Sequence, residues 1–289
     1  MKPRCYGPFP FLPINQRPKL TFPGDARVAL WVIPNLEFYP LDAALRAQPN
    51  IIPNIAGWAY RDYGARVGVW RLMEVLSRHG IRGTAATNSD VCEAYPQIIE
   101  EAVKLKWEFM GHNQTNAKFL NEFEPEAERK EIHDTFATIE AATGQTPKGW
   151  LGAGIQESWH TLDFLIAEGC QYVADWVNDD QPYRMDVDGK QIVSIPYTSD
   201  LNDFPQLLQK GRSAGEFADM IRDAFDVLYR EGKTSGRVMA ISLHPFLIGT
   251  SHSIGALDSA LDYVCRHDGV WLATGAEIVE HYLSSGATF

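Results

Sequence analysis

The stretch Val28-Ala-Leu-Trp-Val-Ile33 decides the fold, and Asn35 and Glu37 follow it closely. Six consecutive apolar residues, with β-branched valine and isoleucine among them, are typical of a strand that is buried on both faces. Such strands belong to parallel sheets, because crossover helices cover both faces of a parallel sheet. The stretch therefore predicts the first strand of a parallel α/β domain.

The rest of the chain repeats this pattern of a short apolar run followed by a helical period. We expect further strands at 83–87, 108–111, 149–151, 172–174, 192–195, 238–243 and 269–272. We expect helices at 66–78, 95–105, 124–142, 158–168, 215–230 and 254–266, with left-handed caps at Gly80, Gly144, Gly169 and Gly232. Seven or eight repeats without a break in composition favour one closed or nearly closed (β/α) barrel.

Three segments depart from this rhythm. Residues 1–27 are rich in proline and predict an extended N-terminal arm, which leaves 28–289 as the barrel domain. Residues 38–63 and 178–209 are predicted as long loops, and the second contains a hairpin turn at Asp188-Gly189. Loops of this length are usually lids or binding loops.

Composition excludes several classes of partner. The net charge of −11 argues against nucleic acid and against an anionic membrane surface, since both require a basic footprint. No apolar run approaches the roughly 20 residues that span a bilayer, and the N-terminus lacks the apolar core of a signal peptide. Together with four widely spaced cysteines, these features predict a cytoplasmic protein with reduced thiols.

Polar side chains follow the predicted strands where each one ends. Asn35 and Glu37 follow the first strand, His112 follows 108–111, and His244 follows 238–243; Asn116, Asp175 and Trp176 also lie just beyond strand ends. In α/β barrels the active site lies at the carboxyl ends of the strands. A carboxylate, two histidines and several amides there could supply the base, the acid and the donors needed to hydrolyse an acyl–nitrogen bond.

We therefore identify Glu37, His112 and His244 as the predicted catalytic residues. Each also has an ordinary structural interpretation, because a histidine after a strand is often only a hydrogen-bonding residue and a carboxylate can cap a helix. His252 is a further histidine that a mobile loop could bring to the same site.

The order of these segments resembles the polysaccharide deacetylase superfamily. The segments are Asn35-Leu-Glu37, Gly111-His-Asn-Gln-Thr-Asn116, Ala174-Asp-Trp176 and Ser242-Leu-His-Pro245. The block Tyr63-Gly-Ala-Arg-Val-Gly-Val-Trp-Arg71 and the segments 178–183 and 195–203 are similar to the allantoinase-like branch, which includes allantoinases and cyclic imide hydrolases. The resemblance implies a single distorted (β/α) barrel over nearly the whole chain.

The resemblance also implies where a metal would bind. Metal-dependent members hold the ion with an acidic residue and the two histidines of a His-x-x-x-His motif, and the corresponding residues here are Glu37, His112 and Asn116. A neutral amide is a poor zinc ligand, so we expect action without a cofactor, with a zinc enzyme as the alternative.

Without a metal, the substrate must carry an electrophilic carbonyl, as a cyclic imide does. We expect a hydrolase that opens a small cyclic imide or related cyclic amide to its half-amide, acting as a homo-oligomer, with a tetramer favoured. Predicted substrate contacts are Asn35, Asn116, Trp150, Asp175 and Trp176. The alternatives are an allantoinase, a metal-dependent N-deacetylase of a saccharide, and an inactive barrel that only binds a ligand.

Overall fold

The computed structural model describes residues 1–286, so the last three residues of the expected domain 28–289 lie outside it. Its strands are β1 (Val28–Leu36), β2 (Thr84–Thr87), β3 (Glu108–Gly111), β4 (Gly149–Trp150), β5 (Tyr172–Val173), β6 (Tyr183–Val187), β7 (Lys190–Ser194), β8 (Arg237–Leu243) and β9 (Val270–Leu272). Its α-helices are α1 (Ile55–Tyr63), α2 (Val69–Arg78), α3 (Asp90–Ala94), α4 (Pro96–Lys104), α5 (Pro125–Thr143), α6 (Thr161–Ala167), α7 (Ala214–Glu231), α8 (Ile254–Cys265) and α9 (Gly275–Ser284).

The strands form one sheet in the order β6-β7-β5-β4-β3-β2-β1-β8, and β9 pairs with the start of β1. Neighbouring strands run parallel except in the β6–β7 hairpin, which turns at the predicted Asp188-Gly189. The sheet curls into a half-barrel, which confirms the predicted single α/β barrel domain.

Irregular chain lies beside the free edge of β8. The amide of Ser242 donates to the carbonyl of Leu201 at 2.9 Å, and the amide of Val238 donates to the carbonyl of Asp180 at 2.9 Å. These bonds bring residues 201–203 beside the end of β8. The loop at 178–209 thereby reaches the point where His244 leaves the sheet.

Side chains of β1 alternate between two cores. One core lies between the sheet and the outer helices and takes residues 28, 30 and 32, whereas the other fills the barrel and takes residues 29, 31 and 33. Successive side chains on a strand point to opposite faces of the sheet. The same alternation carries Asn35 and then Glu37 to the inner face at the mouth of the barrel.

Three helices were not predicted, namely α1, α3 and α9. Helix α1 lies inside the expected loop 38–63, where Pro40, Pro49, Pro53 and Gly57 favoured irregular chain, and none of its residues is fully buried. Of the predicted glycine caps, Gly80, Gly144 and Gly169 have positive φ, whereas Gly232 has a φ of −59°. The prediction at Gly232 was wrong: a Cβ there would clash with the carbonyl oxygen of Arg27, so close packing is what requires the glycine.

The arm (residues 1–27) runs over the barrel surface with two short 3₁₀ turns, Ile14–Gln16 and Pro23–Asp25. Phe9 packs against Trp176 and Tyr183, with ring centroids 5.3 and 4.8 Å apart. Arg17 makes two hydrogen bonds to the carboxylate of Asp179, at 2.6 and 2.5 Å. Within residues 1–286, no helix has the length and apolar character needed to cross a membrane.

Candidate active site

A cavity of about 1020 Å³ opens at the carboxyl ends of the strands, and Glu37, His112 and His244 all line it. Its walls come from α1, from residues 44–48 and from the π-helical turn Phe204–Gln209. A second cavity, of about 540 Å³, lies under the arm and contacts none of these three residues. The volume of the first cavity is at the upper end of the range for small-molecule sites.

Glu37 is the hub of the site. Its Oε1 lies 3.6 Å from Nε2 of His112 and 3.5 Å from Nε2 of His244. The same oxygen accepts a hydrogen bond from the amide nitrogen of Asn116 at 2.5 Å, and Oε2 accepts one from the Tyr39 hydroxyl at 2.7 Å. The carboxylate is thus held between two imidazoles and fixed from the other side by neutral donors.

This environment sets the charge of Glu37 and of Tyr39. Burial by itself would raise the pKa of Glu37, but the charge of His244 and the hydrogen bonds from both histidines outweigh it and hold that pKa well below its usual range. Burial and the Glu37 carboxylate raise the pKa of Tyr39 above its usual value. At neutral pH, Glu37 is a carboxylate and Tyr39 keeps its proton.

His244 lies between two carboxylates. Its Nδ1 is 2.7 Å from Oδ1 of Asp203, and its backbone amide also donates to that carboxylate, at 2.8 and 3.0 Å. Burial lowers the pKa of His244, but Glu37 and Asp203 more than reverse this effect and raise the pKa to about 10. His244 is therefore an imidazolium at neutral pH and can act as a proton donor.

His112 is oriented by the end of the next strand in the sheet. Its Nδ1 lies 2.6 Å from the carbonyl oxygen of Leu151, which can only accept, so Nδ1 carries a hydrogen. Nε2 is therefore the nitrogen that faces Glu37.

Asn88 ties the loops of the site together. Its side-chain nitrogen donates to the carbonyl of His112 and, at 3.2 Å, to the side-chain oxygen of Asn116. Its side-chain oxygen accepts from the amide of Phe38 at 2.8 Å. One buried amide thus sets the relative positions of the segments that carry Glu37, His112 and Asn116.

The glycines of the quoted block at 63–71 have a packing role. A Cβ at Gly64 would meet the backbone of Phe246, and a Cβ at Gly68 would meet the carbonyl of Pro245. The π-helical turn Gly64–Gly68 can therefore press directly on the two residues that follow His244.

The donor set does not fit a catalytic zinc site. The side-chain nitrogen of Asn116 faces Glu37, and its oxygen is taken by Asn88, so the amide offers no ligand oxygen to the site. Among residues 1–286, no group of three or more His, Cys, Asp or Glu side chains is arranged to hold a metal ion. In the ligand set that the resemblance implies, Glu37 and His112 therefore remain without the third ligand that a zinc site of this family uses.

The predicted substrate contacts lie at different depths. Asn35 lines the cavity, but its amide hydrogens are directed at Ser242 Oγ (2.9 Å) and at the carbonyls of Leu243 (3.2 Å) and Ile33 (3.3 Å). Asn116 holds Glu37, as described above. The side chain of Asn116 contacts the Glu37 carboxylate, and that of Asn35 contacts β1 and β8, so the nitrogens of both already have partners within the protein.

The structure does not bring Trp150, Asp175 or Trp176 to the cavity wall. Trp150 is fully buried on the outer side of the sheet, against Phe136. Asp175 accepts from the amide of Gly152 at 2.7 Å, and burial raises its pKa and that of the neighbouring Glu157. Trp176 donates to Glu157 at 3.2 Å beneath the arm. All three side chains therefore lie outside the cavity lining.

Three residues of the site had no predicted role: Arg61, Asn88 and Asp203. Asp203 lies in the segment 195–203 that was quoted for the resemblance, and that was the only sequence signal for it. The exposed His252 does not line the cavity.

Comparisons of sequence and of fold find proteins that are similar to this chain. The family model of polysaccharide deacetylase matches residues 60–167, which include His112 and Asn116. A protein of Schizosaccharomyces pombe (strain 972), whose name assigns it provisionally to the polysaccharide deacetylases, is 25% identical over 236 residues, which are 76% of this chain and 73% of that protein.

Two solved structures share nearly the whole fold. One, from Pseudomonas aeruginosa PAO1 and also named provisionally as a polysaccharide deacetylase, matches with a TM-score of 0.84 at 29% identity, covering 93% of this chain and 95% of its own. The other, PuuE allantoinase, gives a TM-score of 0.85 at 25% identity, with 93% and 95% covered. The fold and these relatives show that the chain is similar to the polysaccharide deacetylase superfamily over nearly its whole length, with an allantoinase among its structural neighbours.

Proposed function

We propose that this protein hydrolyses a small cyclic imide, or a related cyclic amide, to its half-amide without a metal. The observation that carries this proposal is the arrangement around Glu37, a carboxylate held between two imidazoles and an amide nitrogen. That set provides an acceptor for a water proton and a donor for a leaving nitrogen, and the amide of Asn116 stands in the place of the second motif histidine that would bind zinc.

The reaction needs only groups that the site holds. The oxygen of a water molecule attacks the ring carbonyl, and Glu37 accepts a proton from that water. The imidazole of His112, which faces Glu37 through Nε2, polarises the carbonyl oxygen. The carbon–nitrogen bond breaks as His244 gives its proton to the ring nitrogen. The new carboxylic acid ionises in water, and a proton passes from Glu37 to His244 across their 3.5 Å contact to restore both groups.

The low pKa of Glu37 favours an activated substrate. A carboxylate of low pKa stays ionised but is a weak base, so transfer of a water proton to it requires a strongly electrophilic carbonyl. A weak base without a metal cannot readily hydrolyse an ordinary acetamide. An imide is more electrophilic, because its nitrogen shares one lone pair between two carbonyls.

Allantoin is the second candidate substrate, and the similarity to PuuE allantoinase favours it. Its ring is a cyclic ureide, and the cavity has room for its ureido tail beside the reacting ring. The chemistry at Glu37 and His244 would be the same.

Purified protein, checked for bound metal, tests these assignments with succinimide, glutarimide, hydantoin, dihydrouracil, allantoin and an N-acetylglucosamine oligomer. We expect turnover of at least one imide or ureide that survives treatment with a chelator. Stoichiometric zinc, together with deacetylation that the chelator abolishes, would show instead a metal-dependent deacetylase. Binding of a cyclic ligand without any product would show an inactive barrel.

We also propose a cytoplasmic homo-oligomer, with a tetramer favoured. Tyr6 and Phe11 of the arm support an assembly, since 52% and 78% of their surfaces are exposed. Light scattering of the purified protein measures the mass directly, and a monomer would contradict the proposal.

A further inference from the structure

Arg61 lines the same cavity as Glu37, and no carboxylate among residues 1–286 forms an ion pair with it. It lies in the last turn of α1, and its guanidinium lies over the ring of Tyr39 at 4.6 Å and near the ring of Phe246 at 5.2 Å. Its Nη1 donates to the carbonyl of Gly57 at 3.0 Å. Its buried Nε has no hydrogen-bond partner anywhere in the described part of the chain.

The other arginine of the cavity wall is a useful contrast. Arg46 also lines the cavity, but it forms an ion pair with Glu122 and covers the ring of Phe119 at 3.3 Å. The charge of Arg46 is therefore already paired with the carboxylate of Glu122. For Arg61, residues 1–286 supply aromatic faces and one carbonyl, but no carboxylate in an ion pair.

The ring of Tyr39 lies between the guanidinium of Arg61 and the carboxylate of Glu37. The hydroxyl of Tyr39 donates to Glu37 at 2.7 Å, while the face of the same ring supports the guanidinium. The direct partners of Glu37 are His112, His244, Asn116 and Tyr39. Arg61 is thus placed to meet a substituent on the ring rather than the bond that breaks.

We propose that Arg61 binds a carboxylate carried by the ring substrate, so that the enzyme selects anionic cyclic imides or ureides over uncharged ones. This inference rests on the proposed function, because it names the substrate class of the same site. The cavity, at about 1020 Å³, is far larger than one bare ring requires.

The chemistry of the guanidinium supports a carboxylate in particular. A guanidinium presents a planar fork of donors that matches a carboxylate, and hydrogen bonds between ionised partners are about twice as strong as neutral ones. The two aromatic rings fix the plane of the fork before the ligand arrives. A protein of net charge −11 repels anions in general, so a local cation is needed to bind one.

Two isosteric pairs of substrates test the inference: hydantoin-5-acetate with hydantoin-5-acetamide, and dihydroorotate with its carboxamide. For the natural protein we expect kcat/KM to be at least about tenfold higher for the anionic member, the equivalent of about 1.4 kcal/mol. In Arg61→Gln we expect that ratio to fall to about one, and in Arg61→Lys to an intermediate value, because the charge stays but the fork is lost.

Arg66→Gln is the matched control. Arg66 lies in the adjoining π-helical turn, is exposed, pairs with Asp62 and does not line the cavity. We expect this variant to keep the natural ratio. Equal kcat/KM for both members in the natural protein would overturn the inference, and so would an equal loss for both members in Arg61→Gln.

Titration calorimetry with the same four compounds separates this inference from the proposed function. If no ring is opened but the anionic members bind about tenfold more tightly to the natural protein than to Arg61→Gln, the proposed reaction fails and the role of Arg61 stands. If the rings are opened but the variant binds both members like the natural protein, the reaction stands and the role of Arg61 fails. If the anionic members neither bind nor react, both fail.

Discussion

Glu37 and Glu108 are the same residue type on the inner face of one sheet, yet they serve different ends of the barrel. Glu37 follows β1 at the carboxyl end, and Glu108 begins β3 at the amino end. Glu108 accepts hydrogen bonds from the hydroxyls of Tyr172 (2.7 Å) and Thr84 (3.0 Å) and from the amide of Ala276 (3.0 Å) in α9. Burial raises the pKa of Glu108, and these bonds only partly offset the rise.

The difference lies in the partners and in access. The partners of Glu108 are neutral donors that cannot titrate near neutral pH, and one of them is the amino end of a helix, which favours a carboxylate. Glu37 faces two imidazoles and a cavity that admits a substrate. A buried carboxylate with fixed donors ties elements together, whereas one that shares protons with neighbouring groups can do chemistry.

Replacing each glutamate by glutamine should therefore affect a different property of the protein, turnover for Glu37 and stability for Glu108. This is the largest difference that we expect. Glu37→Gln should lower kcat by about 10³-fold, because the acceptor of the water proton is lost. Glu108→Gln should leave turnover unchanged but lower the free energy of unfolding by about 1–3 kcal/mol, because a buried acceptor loses its match to three donors. Turnover on the preferred imide and urea-induced unfolding measure the two effects. An equal loss of turnover in both variants would contradict the division between the two ends.

Asp203 should matter through the pKa of His244. Asp203 raises that pKa, so Asp203→Asn should lower it from about 10, and His244 should lose its proton at a lower pH. We expect kcat to fall about 10–100-fold and the alkaline limb of the kcat/KM profile to move toward neutral pH. A loss of activity with an unmoved alkaline limb would mean that Asp203 supports only the fold. Asp179→Asn, on the arm contact, serves as the control that should leave the limb in place.

Local rules predicted the part of this site that lies on the strands. The alternation of side chains in β1 and the shared edge of parallel strands suffice to bring Glu37, His112 and His244 together. The same alternation of side chains would have excluded Trp150 from the predicted substrate contacts. Leu151 faces the inside of the barrel, so Trp150, the residue before it, must face the outer helices. Asp203, Asn88 and Arg61 could not be placed in this way, since their positions depend on long loops and on α1, which lies in a segment predicted as a loop.

The charge of His244 should also make stability depend on pH, with a smaller effect. Its pKa rises from an ordinary 6.5 in the unfolded chain to about 10 in the fold, so the folded state binds its proton more tightly. The resulting stabilisation is fully present below pH 6.5 and is lost as the pH rises through about 10. Unfolding in urea at a series of pH values measures this. Glu37→Gln should flatten the decline, because it removes one of the two carboxylates that raise the pKa; an unchanged slope would contradict the pairing.

The smallest effects that we expect come from the two tyrosines that bond the two glutamates. Tyr39→Phe removes one donor to Glu37, and Tyr172→Phe removes one donor to Glu108. One hydrogen bond contributes about 0.5–1.5 kcal/mol, so Tyr39→Phe should lower kcat up to about tenfold with little change in stability. Tyr172→Phe should lower the free energy of unfolding by a similar amount and leave kcat unchanged. Because the substitution is the same at both places, a loss of kcat in one variant and a loss of stability in the other can come only from the surroundings of each glutamate. If both variants lost the same property, the distinction between the two ends of the barrel would be wrong.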